Sequence, residues 1–193
     1  MNPAFESPLA EHEQGRGLAR LNPAPTRAYE LEVSVHGAPG PFAQFEATAQ
    51  YDVVNENECG HINAASGTAE RITSNEAFAL QRIGDAQFRG TFYLDRMLDE
   101  DYYGRGVCRW DPSEVRVSLR ATGADGETYF VAGLPWQNIQ DGQPRTLYFW
   151  KGGYPVSGMA DYPDFGSADP GRFAAEKQEA LFFITLHAVK SDP

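Results

Sequence analysis

Four His, two Cys and three Met in 193 residues leave little with which to build a metal cluster or a redox centre. Cys59 and Cys108 stand too far apart for the paired C-x-x-C spacing of a zinc site or a thiol redox motif. There is no run of about eighteen apolar residues, which excludes a transmembrane helix. Residues 1–27 lack the apolar stretch of a secretory signal, so outside the cytoplasm this sequence would be a mature form whose leader had been removed. Positive charge is also short: 16 Lys and Arg face 27 Asp and Glu, a formal net charge of −11. A phosphate backbone needs clustered cations, so the balance speaks against nucleic acid as a partner. The acidic balance serves solubility, or steers a basic partner.

What is present favours strands. The chain is 41% apolar and 12% aromatic, with nine Tyr, twelve Phe and three Trp, enough for one β-rich core. Pro3, Pro8, Gly15, Gly17, Pro23 and Pro25 among scattered charges make residues 1–27 a flexible lead-in, leaving 28–193 as a single domain. Tyr29, Leu31, Val33 and Val35 alternate with polar residues, as do Phe45, Ala47, Ala49 and Tyr51, the period of strands with one wet face. The Gly37 to Pro41 turn between them makes a hairpin or a sandwich pair. Further strands are expected at 78–83, 87–94, 114–121, 128–132 and 145–151. Asp125-Gly126 closes a hairpin between Val115 to Leu119 and Tyr129 to Val131.

Residues 152–169 form a long loop carrying Tyr154, Met159, Tyr162 and Phe165, and long ordered loops are often functional. Asp169 and Pro170 are start signals for one short helix over 169–178. The apolar run Leu181 to Ile184 predicts a last strand, 181–189, central and buried on both faces, with a helix continuing from Phe173 as the rival. The fold class is mainly β: an antiparallel β-sandwich of eight to ten strands, one short helix and long aromatic loops.

For the chemistry-bearing residues, a disulfide between Cys59 and Cys108 competes with two buried free thiols in a reducing compartment. Closing a loop of that size would add about 4 kcal/mol by chain entropy. Asp95, Asp99, Glu100 and Asp101 crowd four carboxylates into one turn, which reads as a solvated turn, a partner-binding loop or, less readily, a calcium loop, for which the alternating ligand order is missing. Tyr102 and Tyr103 beside them offer apolar area at low ordering cost, although adjacency on an extended segment frees only one of the two. His61 near Cys59 lacks an orienting third group, and His36 and His187 lie in separate strand-like segments; all three read as structural. Asp95 with Asp111 would be one of many arbitrary glycosidase pairs. Trp136, Trp150 and Tyr154 could stack on a sugar, but core packing explains them as well.

Three segments carry a resemblance: Glu58-Cys59-Gly60-His61, Phe88 to Asp95, and Asp99 to Trp110. They resemble immunity proteins, small exported proteins encoded beside bacterial antibacterial effectors, over about a third of the chain. The resemblance implies a periplasmic protein, with the cytoplasm as second choice, that binds a cognate toxin and needs no cofactor, metal or catalysis of its own. The contacts expected are Asp99, Glu100, Asp101, Tyr102 and Tyr103, meeting Lys or Arg of the toxin, with Tyr154, Tyr162 and Phe165 as a second patch. A carbohydrate- or ligand-binding module built on Trp136, Trp150 and Tyr154 is the alternative, and a hydrolase is a third possibility.

Overall fold

The computed structural model describes residues 17–191. Its ten strands are β1 (Ala28–His36), β2 (Gln44–Val53), β3 (Thr73–Phe78), β4 (Leu80–Gly84), β5 (Gln87–Tyr93), β6 (Trp110–Arg120), β7 (Tyr129–Pro135), β8 (Arg145–Trp150), β9 (Pro163–Asp164) and β10 (Leu181–Lys190). They form two five-stranded sheets, in the orders β4-β5-β1-β10-β8 and β3-β2-β6-β7-β9. Every pairing is antiparallel except the two-residue contact of β7 with β9. The expected β-sandwich is therefore what forms.

Alternation places the core. Leu31, Val33 and Val35 of β1 turn inward, as do Ala47, Ala49, Tyr51 and Val53 of β2 and Val115, Val117 and Leu119 of β6, while Glu32, Glu46 and Arg116 face outward. β1 and β2, adjacent in sequence, lie in opposite sheets, so the turn between them joins a sandwich pair. One end of the core is aromatic: the Phe130 ring meets Phe42 at 5.7 Å, Phe149 at 5.7 Å and Phe182 at 5.2 Å, all edge-on. The β6–β7 hairpin closes as expected near Gly126, whose φ of 82° a side chain would resist.

Several expectations need correction. The lead-in does not extend to residue 27: Ala19 is buried, Leu21 bridges to Met97, and the Leu98 amide donates to the Arg20 carbonyl at 3.0 Å. Residues 1–16 lie outside the described part. The strand expected at 78–83 is two strands, β3 and β4, in different sheets, because the chain crosses the sandwich at Ala79. The helix expected over 169–178 splits into a 3-10 turn (Pro170–Arg172), capped by the Asp169 side chain accepting from the Gly171 amide at 2.9 Å, and a four-residue helix, Ala175–Gln178. Two further short helices occur, α1 (Glu56–Cys59) and α2 (Trp136–Gln140). β10 lies between β1 and β8, as a central strand should, but only one face is fully buried. On its other face Phe183 is covered by stacking with His36 at 4.8 Å and by Tyr148 at 5.7 Å, so the apolar run is satisfied by neighbouring rings rather than by a second layer.

Candidate functional site

Cys59 at the end of α1 and Cys108 just before β6 form a disulfide, with both residues fully buried. A formed bridge fits a non-reducing environment. It also removes the only cysteine that could have paired with His61 as a nucleophile; the His61 ring sits 6.4 Å from that of Tyr103. Around the bridge, residues 55–60 and 99–109 are tied further. Asn55 donates to the Val107 carbonyl at 2.9 Å and accepts from the Arg109 amide at 2.8 Å, and the Arg105 guanidinium donates to the Gly60 carbonyl.

The acidic turn is spent inside this clasp. Asp95 accepts from the amides of Thr26 and Arg27, both at 2.9 Å, and from the Thr26 hydroxyl at 3.2 Å. Burial pushes its carboxyl up, but these donors outweigh burial and hold it below the usual Asp value. Asp99 accepts from the Trp110 amide at 3.0 Å and Asp101 from the Arg105 amide at 3.0 Å. Glu100 takes both arms of the Arg20 guanidinium, at 2.7 and 2.5 Å. The Tyr102 hydroxyl donates to the Leu98 carbonyl, and Tyr102 and Tyr103 are half-buried against the core. The carboxylates therefore cap the molecule's own donors, leaving Leu18, Val54 and Val107 as the large apolar side chains exposed in this region. Among the described residues, no group of three or more His, Cys, Asp or Glu is placed to hold a metal.

The loop 154–167 is built the other way round. Its backbone is anchored: Thr128 donates to the Pro155 carbonyl at 2.9 Å, Tyr129 to that of Tyr162 at 2.9 Å, and Ser167 exchanges two bonds with Tyr148 at 2.8 and 2.9 Å. The Asp161 side chain accepts from the Gly126 amide at 2.9 Å. Gly166, at φ 61°, lets the loop lie flat on β8, where an added Cβ would come within 2.7 Å of the Tyr148 carbonyl oxygen. The side chains point out: Val156 is 49% exposed, Met159 64%, Tyr162 41% and Phe165 62%. Tyr154 does not belong with them. Its ring packs edge-on against Phe42 at 5.5 Å and its hydroxyl donates to the Pro41 carbonyl at 2.5 Å, so it is the loop's anchor in the core. The sequence named Met159 as a loop residue without assigning it to the patch, and Val156 was missed; both follow only from where the anchored backbone aims them.

The sugar-stacking set does not assemble. Trp136 packs on Tyr29, whose partner in β10 is Lys190, whereas Trp150 pairs with Leu181 at the other end of that strand, roughly 30 Å away at the strand rise. Lys177 covers the Trp150 ring at 4.1 Å. Asp95, offered as half of a hydrolytic pair with Asp111, is shifted in the wrong direction for a general acid. His36 Nε2 lies 3.1 Å from Ser34 Oγ and His187 Nε2 lies 3.3 Å from the Gly142 carbonyl oxygen, each on its own stretch of the sheet surface. No known protein family, curated protein or solved structure matches this chain.

Proposed function

We propose that this protein acts by binding another protein through the apolar side chains of the 154–167 loop, and that the partner is an antibacterial toxin which it neutralises in the periplasm. The observation that carries the binding surface is the loop itself: four exposed apolar side chains on a backbone already fixed by hydrogen bonds. Interface centres are apolar and aromatic, and a surface ordered beforehand loses less entropy on binding. The toxin and the compartment come from the resemblance of the three cysteine-flanked and aromatic segments to immunity proteins, which the disulfide suits. No reaction is required of such a protein. The acidic turn takes the role of scaffold in this reading, because its oxygens already serve internal donors.

The test is affinity for the toxin encoded beside the gene, measured by calorimetry with the double variant Met159→Asp, Phe165→Asp. Loss of two such central contacts should weaken binding by at least about a hundredfold, with unfolding unchanged. Undiminished affinity in that variant would reject the loop as the contact surface. Absence of any binding by the native protein would reject the toxin.

A further inference from the structure

Phe165 lines one of two neighbouring grooves, and the residues before and after it, Asp164 and Gly166, line the other. The first, of about 350 Å³, is also lined by Glu114, Arg116, Gly133 and Arg145; the second, of about 310 Å³, by Arg172 and Phe173. The Arg116 guanidinium is already spent on Glu114 and, at 2.9 Å, on the Gln50 side chain. Arg145 gives one N–H to the Gly133 carbonyl at 2.9 Å. Among the described residues neither Arg145 nor Arg172 has a carboxylate within salt-bridge distance. Asp164, the acid that lines the second groove with Arg172, accepts from the Gly166 amide at 2.9 Å, and burial pushes its carboxyl up. In a chain with 27 acids and 16 Lys and Arg, each groove carries a guanidinium without an internal carboxylate: Arg145 lines the one that holds the exposed phenyl ring, and Arg172 the one lined by Asp164 and Gly166.

We propose that the partner segment seated on Phe165 is acidic, with a carboxylate held in the groove by Arg145 and a second one reached by Arg172. This rests on the loop being the contact surface, and it reverses the polarity that the acidic turn implied. A guanidinium fork matches a carboxylate in two parallel hydrogen bonds, and a neighbouring aromatic ring excludes water from the pair. Nucleic acid would offer the same anionic chemistry, but the charge of −11 opposes a polyanion with one charge per phosphate more than a peptide segment with two carboxylates.

The experiment selects displayed random dodecapeptides on the whole disulfide-bonded protein. Binders are then counter-tested on Phe165→Asp, Arg172→Glu and Arg145→Gln, with thermal unfolding of each variant checked alongside. The expected result is peptides rich in Asp or Glu next to an apolar residue. They should be lost on Phe165→Asp, weakened about tenfold by either Arg variant, and weakened by raising salt. Arg172 makes no side-chain hydrogen bond within the described residues, so its variant reads binding even if Arg145→Gln disturbs Gly133. Peptides that need Phe165 but show no acidic preference, or a basic one, overturn the inference and leave the contact surface standing. Binders indifferent to Phe165→Asp overturn both. Tight binding of a single-stranded oligonucleotide at the same residues also overturns it.

Discussion

The clasp formed by residues 18–27, 55–60 and 95–109 and the loop 154–167 draw on the same residue types, acids and tyrosines, and end in opposite states. In the clasp the side chains are the anchors: Asp95, Asp99 and Asp101 hold backbone amides and Glu100 holds Arg20. In the loop, backbone bonds together with Asp161 and Tyr154 do the anchoring, and Met159, Tyr162 and Phe165 are left to solvent. A polar group already hydrogen-bonded inside the protein must break that bond to serve a partner, whereas an exposed apolar side chain gains by being covered. The two surfaces thus differ in what binding would cost them, although their compositions look alike.

The strongest way to break this contrast is to remove the bridge. Cys59→Ser with Cys108→Ser reopens a loop whose ends are 49 residues apart, and urea unfolding should show a loss of about 4 kcal/mol from chain entropy. A loss of only a few tenths would mean that Asn55 and Arg105 hold the clasp unaided. Next in size, Asp95→Ala frees the exposed Thr26 and Arg27 amides to water and should cost about 1 kcal/mol. Hydrogen exchange should then accelerate in residues 18–27 while the 154–167 backbone keeps its protection. Equal acceleration in both would show that the regions are coupled.

Acid sharpens the same comparison. Burial pushes Asp52, Asp95 and Glu127 up, but their hydrogen bonds, from Thr73 and Arg71, from Thr26 and Arg27, and from Thr122 and Gly123, outweigh it and leave all three below their ordinary values. A carboxyl whose folded value lies below its unfolded one adds stability that is complete above the unfolded value, about 4, and is lost as pH falls through the folded value. Stability should therefore decline steadily below about pH 5. Asp164, raised by burial, works in the other direction, its ionised form opposing folding at neutral pH. Denaturant titrations of Asp95→Asn should show a flatter acid limb than the native protein, and an unchanged limb would remove Asp95 from the account. The smallest effect is expected for Phe165→Asp, which should shift unfolding by less than about 0.5 kcal/mol because the side chain is exposed.

The sandwich was legible where alternation was strong. Val115, Val117 and Leu119 could pack only on one side, and the pattern from Tyr29 to Val35 placed β1 to within a residue. β3 was illegible because Thr73, Ser74, Asn75 and Glu76 are polar on both faces; it is an edge strand, and the inward-facing Glu76 is one of the devices by which edges resist further pairing. Of the clasp, the Cys59–Cys108 bridge was legible but its polar ties were not, since Asp95 meets backbone amides 68 and 69 positions away, and a backbone amide has no residue identity to recognise. Tyr154 and Tyr162 read alike as loop tyrosines, and only the packing on Phe42 separates the anchor from the contact.

The most direct test is partner affinity measured in parallel for two variants, Met159→Asp with Phe165→Asp, and Asp99→Lys with Glu100→Lys and Asp101→Lys. The account predicts that the first loses binding at native stability, while the second keeps its affinity and loses stability through the broken Trp110, Arg20 and Arg105 bonds. Binding abolished by the lysine variant and preserved by the loop variant would contradict it.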